Sequence, residues 1–230
     1  MNKKEMVAGM FNDISGQYDF LNHFLSFGVD YGWRKKFVKQ LGENKPFTIL
    51  DVATGTGDLA FAMTVLMPEK IIGIDIAEQM LEVARKKAER HPEGKKITFS
   101  IGDAENIPFP DNTFDAVTVA FGVRNYEHLE IGLMEMRRVL KPGGIMMILE
   151  FSHPRKAPFK QFYKFYSHYG IPLIGKIFSG NNQAYRYLPE SVAAFPSGDD
   201  FITILEKTGL TGTRQRMLPF GIATIYSGKK

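Results

Sequence analysis

Residues 48–60 read TILDVATGTGDLA, an aliphatic run that breaks into a glycine turn and then into a helix-forming stretch. TILDV has the β-branched, continuous apolar character of a buried strand. Gly55 and Gly57 remove side chains where the chain must reverse and come close to a ligand. Strand, tight turn and helix in that order make the first half of a βαβ unit, and in a sheet of such units ligands sit beyond the carboxyl ends of the strands. This turn is framed by two aspartates, Asp51 and Asp58, whereas a phosphate-binding turn is better served without negative charge.

Outward from that turn, KIIGIDIA, KITFSI, FDAVTVAF and GIMMILEF supply further strand candidates. Amphipathic helices are expected over Glu78–His91 and Leu129–Leu140, with Lys141-Pro142-Gly143-Gly144 ending the second and turning into the next strand. Strands alternating with helices pair in parallel through crossovers, so the expected architecture is a doubly wound α/β sheet. Residues 1–45 read as an aromatic-rich helical cap, 46–152 as the ligand-binding α/β core, and 153–195 as an insertion over the site. Residues 196–230 contribute a helix, DDFITILEKTGL, and an apolar run, FGIATIY, expected to complete the sheet at its edge.

The chain has 230 residues, 44% hydrophobic and 23% charged, ordinary values for a soluble globular protein. It contains no cysteine, which excludes disulfides, thiolate metal sites and thiol nucleophiles. The first 19 residues lack the apolar stretch of a signal peptide, and no apolar run is long enough to span a bilayer, so any membrane contact is expected to be peripheral. The net charge of +4 is mild. Its distribution is uneven: residues 151–189 hold ten aromatic and six basic residues and no Asp or Glu. There Phe159, Phe162, Tyr163 and Tyr166 follow helical spacing while Lys156, Lys160 and Lys164 recur every four residues. Such a segment suits an anionic bilayer surface or a lid admitting a lipid, and equally a helix that packs its aromatics inward. A nucleic-acid-binding module is the reading from another class. No RNA-binding motif accompanies the stretch, so no nucleic-acid partner is expected.

Two more acids fall at strand ends: Asp75, 24 residues after Asp51, and Asp103 in IGDAEN. An acid at the end of the second strand can accept hydrogen bonds from ribose hydroxyls. GTGDLA also satisfies the dinucleotide pattern G-x-G-x-x-A. Charge separates the two ligand classes, because Asp51 and Asp58 would repel a pyrophosphate but attract the ammonium and sulfonium centres of S-adenosyl-L-methionine.

With these features in place, DVATGTGDLA, GIDIA, FSIGDAENIPFPDNTFDAV and RVLKPGGIMMILEFS resemble the class I S-adenosylmethionine-dependent methyltransferases, and within them the ubiquinone/menaquinone biosynthesis C-methyltransferases. The resemblance covers nearly the whole chain. YDFLNHFLSFGVDYGW matches that family's signature at Tyr18, Asp19, Asn22, Ser26 and Trp33, and departs from it at Asp30, where the family often has histidine. The resemblance implies a mostly parallel seven-stranded Rossmann-like sheet and methyl transfer to a ring carbon of a polyprenylated quinol, demethylmenaquinol first, with a benzoquinol or another small aromatic or lipid acceptor as alternatives. It implies cofactor contacts from Asp51, Ala53, Thr54, Gly55, Thr56, Gly57 and Asp58 in the first turn. Asp75 with Ile76, and Asp103 with Ala104, complete that set.

Ring methylation needs a nucleophilic carbon, which a hydroquinone supplies once an adjacent hydroxyl loses its proton. The protein must align two partners and stabilise phenolate-like charge, and needs no metal to do so. Arg124 and Asn125 in AFGVRN follow the fourth strand candidate and are expected to face the crevice and hold the ring oxygen. Tyr18 is a further candidate on the acceptor side, and His128 and His153 flank strand ends. The protein is expected in the cytoplasm, with a prenylated acceptor reached peripherally at the inner face of the cytoplasmic membrane. Self-association stays open.

Overall fold

The computed structural model describes residues 2–154, 161 and 182–230. Three helices come first: α1 (Lys3–Ile14), α2 (Tyr18–Leu25) and α3 (Val29–Gly42). Asn2 starts α1 in a capping box with Glu5, each side chain bonding the other's backbone N–H. The α/β core follows as β1 (Thr48–Val52), α4 (Asp58–Met63), β2 (Lys70–Asp75), α5 (Glu78–Arg90), β3 (Ile97–Ile101), β4 (Phe114–Ala120), α6 (Leu129–Val139) and β5 (Leu140–Phe151). The chain closes with α7 (Asn182–Ala194), α8 (Asp199–Lys207), β6 (Thr211–Met217) and β7 (Ala223–Lys229).

The seven strands form one sheet in the order β3-β2-β1-β4-β5-β7-β6. The first five run parallel, and β7 enters antiparallel against both β5 and β6. Because side chains alternate across a strand, Ile49 faces a core layer with Trp33, Phe37 and Leu41 of α3, while Leu50 faces the opposite layer with Leu133 and Met136 of α6. Strand order reverses between β1 and β4, where the chain leaves in opposite directions and opens a crevice.

Two expectations change. FGIATIY does not form an edge strand: Pro219–Gly221 is a short 3₁₀ turn, and the strand starts at Ala223 and lies inside the sheet. The true edge is β6, TGTRQRM, which is almost wholly exposed and so shows no apolar pattern. Its arginines and glutamine keep an open edge soluble. Lys141–Gly144 also belongs to a strand. The helix stops at Val139, and β5 begins at Leu140, opposite Phe114, with a register shift before Ala116 that absorbs the Pro-Gly-Gly segment.

Candidate active site

The crevice is a cleft, partly open to solvent, at the carboxyl ends of β1, β2 and β4. Its two walls are the turns that follow β1 and β4. Ala53 and Phe121, the first residues after these strands, both hold left-handed backbone (φ 51° and 57°), a conformation that non-glycine residues keep only when their surroundings enforce it. The walls touch at Gly122, where a Cβ would come within 2.6 Å of the Ala53 Cβ. Gly57, at φ 83°, is similarly bound, since a side chain there would meet Phe99 at 2.7 Å.

Register builds the floor. Asp51 lies opposite Thr118 of β4, so the Thr118 hydroxyl donates to Asp51 Oδ1 at 2.8 Å while Thr54 donates to Oδ2 at 2.6 Å. Asp51 is 1% exposed. Burial, with the nearby Asp75 charge adding to it, pushes its carboxyl up to about 7. Asp75 accepts the Gly55 N–H at 2.8 Å and the Ala77 N–H at 2.9 Å, which fixes the glycine turn to the end of β2. Burial raises this carboxyl too, and the backbone N–H donors oppose the rise. Ala53, Thr54, Gly55, Thr56 and Ile76 line the cleft beside these acids, as do Asp103 and Ala104. Gly57 does not line it and instead gives the turn its room against Phe99.

Asp58 lines the cleft, but its carboxylate is compensated. Lys87 reaches it at 2.6 Å and Arg34 at 3.3 Å, and Lys87 also holds Asp19 at 2.9 Å. Of the two turn aspartates, only Asp51 has no cationic partner among the described residues. Asp30, the departure from the family signature, is buried and accepts hydrogen bonds from Ser26 and His23 at 2.6 Å each and from Arg34. An acceptor-only side chain suits that position because three donors converge on it.

Several cleft residues carry no single-residue signal in the sequence. Helix α1 turns Lys4, Val7 and Phe11 to the cleft at helical spacing, and Lys4 bonds Asp103 at 2.8 Å and Glu105 at 3.0 Å. Lys3 donates to the Tyr126 carbonyl at 2.5 Å, so α1 lies across the ends of β3 and β4. Tyr18 and Asn22, one turn apart on α2, line the cleft as well. Burial pushes the Tyr18 phenol up to about 12 despite the pull of Arg124, which keeps it a donor rather than a base.

Arg124 follows β4 as expected, but its side chain is held toward β5 and α7. It does not line the cleft. Its Nη1 donates to the Glu150 Oε1 at 2.9 Å and to the Phe121 carbonyl, and its Nε donates to Ser191 of α7 at 3.3 Å. Glu150, on β5, is fully buried and also accepts the Arg124 and Phe151 backbone N–H groups. A buried carboxylate in the sheet requires a counter-charge, and Arg124 is turned to supply it. Asn125 does line the cleft, and its Oδ1 is buried without a hydrogen-bond partner. His128 instead pairs with Glu105 at 2.9 Å, and His153 meets the Val192 carbonyl at 3.2 Å. The basic-aromatic positions Lys156, Lys160, Lys164, Phe159, Phe162, Tyr163 and Tyr166 lie outside the described residues.

This donor set suits a nucleoside with a cationic tail. Acids end three neighbouring strands, the basic side chains that line the cleft, Lys4 and Arg34, are engaged by Asp103, Glu105, Asp30 and Asp58, and the orphan Asn125 acceptor fits an ammonium or hydroxyl hydrogen.

The ubiE/COQ5 methyltransferase family model matches residues 1–230. The chain is 46% identical over 229 residues to a demethylmenaquinone methyltransferase of Bacteroides fragilis, covering 99% of this chain and 94% of that one. It is 48% identical over 230 residues to a ubiquinone/menaquinone biosynthesis C-methyltransferase, UbiE, of Geobacter sulfurreducens, covering 99% and 90%. Among solved structures it resembles a SAM-dependent methyltransferase from Aquifex aeolicus, with a TM-score of 0.58 at 23% identity over 85% of this chain and 88% of that one.

Proposed function

Given that the chain belongs to the ubiE/COQ5 methyltransferase family, we propose that it methylates a ring carbon of a polyprenylated quinol, demethylmenaquinol first, using S-adenosyl-L-methionine. The observation that carries this reading is the cleft at the β1/β4 switch point, with Asp51, Asp75 and Asp103 at its strand ends, in a chain 46% identical to a demethylmenaquinone methyltransferase. A benzoquinol is the second acceptor, since the Geobacter relative's name spans both quinone types.

When bound, S-adenosylmethionine supplies an electrophilic methyl group. The chain's own residues bind and orient. Asp75 offers its remaining lone pairs to ribose hydroxyls, Asp103 faces the base, and Asp51 with the Asn125 Oδ1 receives the ammonium. Tyr18, kept protonated by burial, donates from the acceptor side, and α1 and α2 limit water in the cleft. Labelled S-adenosylmethionine with each demethylated quinol, kept reduced, is expected to yield a product heavier by one methyl group. Tight NAD(H) uptake without S-adenosylmethionine uptake by folded protein would overturn the reading.

Asp51 makes the binding step pH-linked. Its carboxyl lies near 7 in the free protein against 3.8 ordinarily, so an arriving ammonium drives off a proton. Calorimetry at pH 6–7 in buffers of different ionisation enthalpy is expected to show release of a fraction of a proton on binding, and none for Asp51→Asn. The same raised value means that this group's contribution to the free protein's stability is full below pH ~4 and is lost as pH rises through ~7. Asp51→Asn flattens that slope.

The lipid acceptor supports peripheral contact with the inner face of the cytoplasmic membrane. No described helix is long and apolar enough to cross a membrane. Phe20 and Phe27 are 57% and 71% exposed, and Tyr31, Lys35 and Lys39 share an exposed face of α3; exposed aromatics and lysines suit anionic headgroups. Binding is expected to rise with anionic lipid in vesicle co-sedimentation. Binding indifferent both to anionic lipid and to loss of Lys156, Lys160 and Lys164 counts against it.

A further inference from the structure

Beyond the cofactor cleft, the carboxyl ends of β4 and β5 hold a second group of polar atoms. The Tyr187 hydroxyl, on α7, is buried and has no hydrogen-bond partner. Arg124 Nη2 likewise makes no hydrogen bond among the described residues, although Nη1 and Nε are fully engaged. These two donors belong together in space: Ser191, one turn after Tyr187 on α7, accepts from Arg124, and α7 packs on the Val123–Asn125 turn. The Arg124 and Glu150 charges act on the Tyr187 phenol, and burial keeps it protonated. The neighbouring Phe121 and Asn125 line the cofactor cleft. Aromatic rings are present as well, with Phe121 and Phe151 4.4 Å apart and tilted by 32°, and the Arg124 guanidinium 5.2 Å over Phe151.

A buried hydroxyl without a partner has lost its water and gained nothing in exchange, so an unpaired donor in a folded protein calls for a missing acceptor. A cation and a phenol with open hydrogens at one junction of α7 with the Val123–Asn125 turn suit an oxygen that carries negative charge. Resting on the functional reading above, we propose that Tyr187 is a substrate-binding donor that, with Arg124 Nη2, holds the ring oxygen of the quinol on which phenolate charge develops. Neither hydrogen bond is needed by the cofactor half, so the pair acts on the acceptor alone.

Tyr187→Phe tests this, because it deletes one oxygen and keeps the ring. Three results are expected together: kcat for methylation of the reduced demethylated quinol falls ~10–100-fold, S-adenosylhomocysteine affinity stays at the wild-type value, and Tm holds or rises because an unsatisfied polar atom has been removed. The kcat–pH profile is also expected to move alkaline by about one unit, as the phenolate loses a donor. Wild-type kcat and an unmoved profile in the variant overturn the proposal. So does a drop in Tm with matching loss of S-adenosylhomocysteine binding, which would make the hydroxyl structural. Wild-type protein inactive on both quinols overturns the functional reading instead, and this one with it.

Discussion

Asp75→Ala is expected to leave a protein that folds but loses S-adenosylmethionine, with Kd raised at least ~100-fold, or about 2.7 kcal/mol. Two losses combine. The alanine removes the acceptor available to the ribose, and it frees the Gly55 and Ala77 N–H groups that the carboxylate now holds. Gly55 then has no reason to keep its left-handed conformation against the end of β2, and the turn that shapes the cleft loosens. Asp75→Asn separates these contributions. Its amide oxygen can keep one backbone N–H while its NH₂ faces the other donor, so an intermediate loss of ~10-fold is expected with a smaller change in Tm. Calorimetry with S-adenosylmethionine and its demethylated product reads both variants. Wild-type affinity in a folded Asp75→Ala protein would remove Asp75 from the site.

The cofactor half was legible because its determinants are local. A strand, two glycines and an aspartate lie within ten residues, and Asp75 and Asp103 end strands whose aliphatic runs are plain. The seven-stranded α/β sheet followed from the same alternation together with the family resemblance. What escaped has physical reasons. β6 is a polar edge and carries no buried face to betray it. The partners of Asp58 come from α3 and α5, far along the chain, so the sequence reads Asp58 as a charge available to the cofactor's cationic centres when it is already paired. Lys4 sits on a helix whose alignment with Asp103 depends on how the cap docks, and no spacing in the sequence encodes that docking. Arg124 was placed on the right turn, yet its direction is set by Glu150, 26 residues later on the adjacent strand. Long-range charge pairing is thus where reading by period and motif stops.

That pairing sets the sharpest test of Arg124. Its side chain is 6% exposed and that of Glu150 0%, so removing either partner strands a buried charge. Glu150→Leu and Arg124→Met are each expected to cost about 3–5 kcal/mol in denaturant unfolding. The double variant is expected to regain most of that stability, because two apolar groups replace an ion pair whose desolvation is itself costly. Activity need not follow stability. If Arg124 serves only as the counter-ion of Glu150, the double variant methylates as wild type does. If Nη2 reaches the acceptor oxygen, the double variant is stable, binds S-adenosylhomocysteine and is slow, with kcat down ~100-fold or more. The second outcome is expected, since among the described residues Nη2 has no partner while the other two nitrogens are anchored. Glu150 then acts as a positioning residue, holding the guanidinium from behind so that its free edge meets the ring oxygen without reorganisation. A fast and stable double variant would reduce Arg124 to a structural cation and leave Tyr187 as the remaining donor on that side of the cleft.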